Sequence, residues 1–194
     1  MRRDPDAIAA NALKGMPDNV AIMRHNLHPE QFAYFMEVAQ GFSLGINSEF
    51  YPHVTSRECT VMQGIADARI APQYVARTYM SIRTFPIRVG NLEEHSSGGW
   101  YDDQEEISWE QLGVEPELTT VTKRVRRVAT FSGYQLMDAL HANAPDFLFV
   151  NFMNYIPADE QKDFLWTIRD IIKWTKRDIG IITGHGPTNE DVKP

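Results

Sequence analysis

The stretch ELTTVTKRVRR, residues 117–127, gathers more ligand-binding chemistry than any other segment of its length in this chain. Four cations, Lys123, Arg124, Arg126 and Arg127, fall within five positions of a protein whose formal net charge is −7. The hydroxyls of Thr119, Thr120 and Thr122 sit just before them. If the segment is extended, a side-chain period of two puts Thr120, Thr122, Arg124 and Arg126 on one face. Lys123 and Arg127 then lie apart from that row. Hydroxyls and guanidiniums in a row suit a bidentate grip on carboxylate or phosphate oxygens. The same run also reads as a solvated edge strand whose charge discourages aggregation. The residues alone leave both readings open.

Other candidates are fewer. TGHGP at 183–187 follows an apolar run, and glycines there let backbone amides approach a phosphate. Neither GxxxxGK[ST] nor a strand-linked GxGxxG is present, so the usual phosphate-cradling loops are missing from the sequence. The six histidines show no HExxH spacing and suit structural or surface roles. DDQEE at 102–106 reads as a solvated acidic loop or a cation site. No serine or cysteine lies in a nucleophile elbow.

These segments need elements to hold them. Residues 6–15 read as a short helix, 31–39 as a buried strand and 42–56 as a long loop. A short helix suits 59–70, and Pro72 opens the next element. YVARTYMSIRTFPIRV, 74–89, is β-rich, with Pro86 forcing an edge or a bend. Residues 91–117 look like an exposed connection with one helical turn at ISWEQLG. A helix at about 133–143 precedes a strand at 147–155. An amphipathic helix over about 158–177 puts Phe164, Leu165, Ile168, Ile171, Ile172 and Thr175 on one side. A last strand, GIIT, runs into the terminal loop. Strands alternating with helices predict an α/β layer.

Composition narrows the function classes. The 194 residues are 43% hydrophobic and 23% charged, an ordinary globular balance for one domain. An acidic chain lacks the basic face that nucleic-acid or membrane-surface binding needs. One cysteine, Cys59, excludes an internal disulfide and a cysteine-based zinc site. The longest apolar run, FLFV at 147–150, is far short of a membrane span. The opening MRRDPDAIAANALKG has no apolar core and is not read as a secretory leader. The expectation is a cytoplasmic protein.

Several stretches together resemble one family. EVAQGFSLGINSEFYPHVTS (37–56) is similar to the adenylosuccinate synthetase segment that runs FEGAQG, a loop, then YPxVTSS. RTFPIRVGN (83–91) resembles that family's TRVG segment, TTVTKRVRR (119–127) its TTGRxRR loop, and GHGP (184–187) its terminal STGP. Order and spacing agree over roughly residues 30–190. The connection SGGWYDDQEEISWEQLG resembles the shorter archaeal and phage branch, whose phage members build 2-aminoadenine nucleotides from a guanine nucleotide.

The resemblance implies an α/β fold, a mixed sheet flanked by helices, equivalent over 1–194 to the carboxy-terminal part of such a ligase. It implies joining of L-aspartate to a 6-oxopurine nucleotide, IMP or dGMP, at the expense of a nucleoside triphosphate with Mg2+. Carried over, Gln40 meets the purine edge, Thr55 the 5′-phosphate, and Val89 and Gly90 the ribose. Thr120, Thr122 and Arg124 hold the aspartate carboxylates. Arg126, Gly184, Gly186 and Pro187 lie by the triphosphate. The family's guanine-reading KxD motif aligns with Asn151-Phe152-Met153, so Asn151 becomes the base reader and ATP competes with GTP as donor. Lys123 replaces a glycine and Gly184 a serine of the family pattern. The phosphate loop, catalytic groups and metal ligands of the family lie before the matched region, so no catalytic residue is assigned here. A separate amino-terminal-half polypeptide is the expected partner, and a homo-oligomer is compatible with the resemblance. The alternative is a non-catalytic purine-nucleotide-binding protein that senses or sequesters.

Overall fold

The computed structural model describes residues 35–194. The helix expected at 6–15, and the first part of the strand expected at 31–39, lie outside them. The described remainder of that strand, 35–39, joins no ladder. It runs past helix α1 (Val61–Ala68) instead, with Met36 and Val38 against the Gly64 backbone.

Two sheets divide the strands. In the larger, β1 (Tyr79–Arg83), β5 (Phe147–Asn151) and β6 (Gly180–Gly184) are parallel, and β7 (Val192–Lys193) returns antiparallel to β6. The smaller is antiparallel, ordered β2 (Ile87–Arg88), β4 (Arg127–Ala129), β3 (Glu106–Ile107). Pro86 stands where the chain leaves one sheet for the other, as the missing donor of a proline requires. The β-rich run 74–89 is therefore two strands of two sheets. A two-residue strand, β3, and the short helix α2 (Trp109–Leu112) interrupt the connection at 91–117. A reciprocal Ser108–Gln111 capping box sets the start of α2.

Helices α3 (Gly133–Asn143) and α4 (Gln161–Trp174) cover one face of the large sheet. Leu136, Leu140, Ile168 and Ile172 meet Leu148 and Val150 there, flanked by Met80, Ile82 and Ile181. Strand alternation turns Tyr79, Ser81, Phe147, Phe149 and Asn151 to the opposite face. On that face the Tyr79 and Phe147 rings stack at 5.1 Å. The strand expected to reach residue 155 stops at Asn151, because Phe152 turns left-handed (φ 65) into a 3-10 turn, Met153–Tyr155. The mixed α/β layer expected from the sequence is what forms. No helix among the described residues is long and apolar enough to cross a membrane.

Candidate functional site

Parallel strands β1, β5 and β6 end together, and their carboxyl ends carry Arg83, Asn151 and Gly184. In open α/β sheets ligands bind in the crevice beyond these ends. Asn151 donates Nδ2–H to Ser81 Oγ at 2.7 Å. Its Oδ1 would lie 2.9 Å from a Cβ built at Gly184, so the two expected triphosphate residues touch. Beyond β6 the chain folds back on itself. The Asp191 carboxylate accepts from Thr188 N and Oγ1 at 2.9 and 2.6 Å and fills the space over Gly186, with Pro187 exposed beside it. Those Thr188 bonds, side chain first, hold the Asp191 carboxyl below its usual range.

The basic segment is not the extended strand the pattern suggested. It is a hairpin: Leu118 pairs with Val125, and the chain turns at 120–122. Thr119 drives the turn. Its hydroxyl meets that of Thr122 at 2.7 Å and accepts from Arg124 N at 3.0 Å, while Lys123 takes φ 52. Short hydroxyl-to-backbone bonds of this kind compete with a β ladder. Thr120, Thr122 and Arg124 are exposed around the tip rather than aligned on a strand face. Arg126, half-buried, stands at the base, its N–H donating to Glu117 O at 2.8 Å.

Residues that the sequence did not single out join this hairpin to the sheet. Arg83 pairs with Glu117 and lies 3.7 Å over the Phe152 ring. Asn151, Phe152, Arg83, Glu117 and Arg126 thus form one chain of contacts. Gly90 supplies a second link, because a Cβ there would meet Val125 O at 2.4 Å and Arg124 Cβ at 3.7 Å. The expected ribose and aspartate segments are neighbours.

Gln40 and Thr55 sit on the loop ahead of α1. Gln40 takes φ 71, a left-handed conformation that a non-glycine residue holds at a cost of about 1–2 kcal/mol. Thr55 N donates to Leu44 O at 2.8 Å, closing the loop. Ser43 Oγ, 3.0 Å from Tyr101 OH and accepting from Gln135 Nε2 at 2.7 Å, fastens it to α3. Arg88 Nη2 donates to His53 O at 2.9 Å, which brings the loop alongside β2 and the exposed Val89 that follows it. A cleft of about 290 Å³ opens behind Tyr101, between Glu49, Trp100, Tyr134 and Asp138. None of the expected ligand residues lines it.

DDQEE is scaffold rather than open loop. Asp103 accepts from Ser132 Oγ at 2.5 Å and Tyr134 N at 3.1 Å at the start of α3, and Gln104 donates to Thr130 O at 2.9 Å. Among the described residues no three His, Cys, Asp or Glu side chains are placed to hold a metal ion, so they do not by themselves fit a Mg2+ site. Glu106 grips Arg127 with both oxygens and accepts from Trp100 Nε1 at 2.9 Å. The Arg127 bond is the main reason its carboxyl is held below the ordinary value of 4.5. A depressed folded-state value means stability that is present above 4.5 and lost as pH falls through the depressed value. Glu106→Gln should therefore unfold more easily than wild type at pH 7, by up to about 1 kcal/mol for this partly exposed pair. Unfolding midpoints of both proteins across pH should converge on acidification.

A sequence model described as adenylosuccinate synthetase matches residues 6–158. The chain belongs to the adenylosuccinate synthetase family. It is 45% identical over 158 residues to the N6-succino-2-amino-2′-deoxyadenylate synthase of Vibrio phage phiVC8, covering 81% of this chain and 45% of that protein. The succinoaminodeoxyadenylate synthetase of cyanophage S-2L, solved bound to dGMP and dATP as an energy donor, superposes with a TM-score of 0.72 at 36% identity. That match covers 80% of this chain and 44% of the other. Adenylosuccinate synthetase from Plasmodium falciparum gives a TM-score of 0.62 at 17% identity over 80% and 48% of the two chains, a likeness of fold alone. The chain spans less than half the length of these relatives.

Proposed function

We propose that this chain is the substrate-gripping, carboxy-terminal part of a phage-type adenylosuccinate synthetase ligase. In this reading it acts together with the family's amino-terminal portion, which carries the phosphate loop, catalytic groups and Mg2+ ligands. The purine substrate is a guanine nucleotide, dGMP, in preference to IMP. Relatives described as N6-succino-2-amino-2′-deoxyadenylate synthases are 38–46% identical to the chain, against 28–33% for adenylosuccinate synthetases of Pyrococcus, Archaeoglobus and Thermococcus. A 2-amino product requires a purine that already carries its 2-amino group.

The observation that carries the reading is the contact of Gly90 with Val125 and Arg124, which sets the ribose segment against the aspartate hairpin. In the proposed reaction the purine N1 gives up its proton, O6 takes the γ-phosphoryl group, and the β–γ phosphoanhydride bond breaks to release the nucleoside diphosphate. The aspartate amine then attacks C6, the C6–O6 bond breaks, inorganic phosphate leaves with O6, and the amine gives up a proton. Gln40 holds the purine edge, Thr55 the 5′-phosphate, and Val89 and Gly90 the ribose. Thr120, Thr122 and Arg124 neutralise and orient the aspartate carboxylates, which an acidic protein would otherwise repel. Arg126 faces the triphosphate, and Asn151, Gly184, Gly186 and Pro187 shape the place of its base. An amide at Asn151 has no fixed negative charge for guanine's N1–H and amino group, so ATP or dATP is the donor.

The test mixes this chain with the amino-terminal half of a phage relative, dGMP, L-aspartate, Mg2+ and ATP, and follows the succinylated nucleotide by mass. Product should require both polypeptides. Nucleotide binding by this chain alone at micromolar concentration, with no product on mixing, would favour a sensor instead. Within the active mixture, Arg124→Ala should raise the KM for aspartate about 10- to 100-fold, the loss of one charge-assisted contact. Its dGMP KM should hold. Gln40→Ala should do the reverse, and equal losses from both variants would contradict the assigned roles.

A further inference from the structure

Arg88 and Arg127 face each other as a cross-strand pair of β2 and β4. Like charges directly opposite are unfavourable, and Arg88 is also 7% exposed, so the arrangement needs a compensating set of acceptors. Both guanidiniums find it in one dipeptide, Ser97–Gly98. Arg88 donates Nε–H and Nη2–H to Ser97 O at 3.1 and 2.8 Å and a further Nη2–H to His53 O at 2.9 Å. Arg127 donates Nη1–H to Gly98 O at 2.7 Å and Ser97 Oγ at 3.0 Å, while Glu106 takes its other edge. Aromatic rings lie over both cations, Phe50 at 5.0 Å from Arg88 and Trp100 at 5.1 Å from Arg127. Gly98 has φ +109, and a Cβ there would fall 2.5 Å from Arg88 Nη2 and 2.8 Å from His53 Cβ. Only glycine fits inside the clasp.

The clasp brings three segments together at one point: the loop at His53, β2 and β4. His53 is two residues before Thr55, Arg88 immediately precedes Val89 and Gly90, and Arg127 follows Arg124 and Arg126. We infer that the Arg88–Ser97–Gly98–Arg127 clasp fixes the distance between the monophosphate loop and the aspartate hairpin. Arg88 and Arg127 are positioning residues that touch neither substrate. The inference rests on the proposed function for what those segments bind, but not for the clasp itself.

Arg88→Lys keeps the charge yet cannot span the Ser97 and His53 carbonyls together. Gly98→Ala keeps both arginines and displaces one. Hydrogen–deuterium exchange on the full chain should show, for either variant, about tenfold or faster exchange in 42–58 and 91–99. Protection in β5 and α4 should be unchanged. Wild-type protection in 42–58, or a loss spread evenly through β5 and α4, would overturn the clasp. In the two-polypeptide ligase mixture, the KM values for dGMP and for aspartate should rise together in both variants, unlike the split expected of Arg124→Ala. A rise in one alone would overturn the shared positioning. If wild type forms no product at all, the functional reading fails and the exchange data still decide the clasp.

Discussion

Gly90→Ala should lower aspartate-dependent turnover about 100-fold, the effect that a misplacement on the order of 1 Å produces in an oriented site. The new methyl would meet Val125 O at 2.4 Å, with Val125 C at 3.6 Å and Arg124 Cβ at 3.7 Å. A backbone oxygen cannot rotate away, so the base of the hairpin has to move and Arg124 moves with it. Overpacking of this kind also costs about 1–3 kcal/mol of stability. Steady-state kinetics of the reconstituted ligase, with a thermal unfolding curve on the same protein, would separate the two effects. Unchanged aspartate kinetics would mean that the hairpin is placed by something other than Gly90.

Leu148→Ala should cost about 2–5 kcal/mol, the range for emptying a fully buried leucine site. Leu148 is fully buried on the central parallel strand, opposite Met80 on one side and Ile181 on the other, beneath α3 and α4. Its neighbours come from four other elements, so no single one can relax into the void. A domain of ordinary stability has about 5–15 kcal/mol in all, and this one side chain holds a large share. Urea unfolding of wild type and variant measures it. A loss under about 1 kcal/mol would mean that the two helices do not close over β5 as described.

The layer was legible in the sequence because its signals are local. The stripe Phe164, Leu165, Ile168, Ile171, Ile172 marks α4. Pro86 divides two strands, as a residue without an amide proton must. The hairpin was not legible. Threonine and valine favour extended chain, and nothing in TTVTKRVRR announces that the Thr119 hydroxyl will accept from Arg124 N five residues on. Arginine roles were equally hidden. Arg83, Arg88, Arg124, Arg126 and Arg127 are alike on the page. The fold gives Arg83 to Glu117, Arg88 to two carbonyls and Arg127 to Glu106. Which cations serve the scaffold depends on strand pairings of two or three residues, too short to leave a periodic trace.

The closed turn at Thr119–Arg124 has a kinetic consequence. Its two hydroxyl bonds are made within six residues, so the loop takes shape as soon as the chain around it does, without help from a guest. On the proposed function, a dicarboxylate would meet a turn whose backbone is already shaped, and ordering that backbone would cost little on binding. Capture should then be governed by charge-steered diffusion, slowing as salt is added, rather than by a loop that must first find its form.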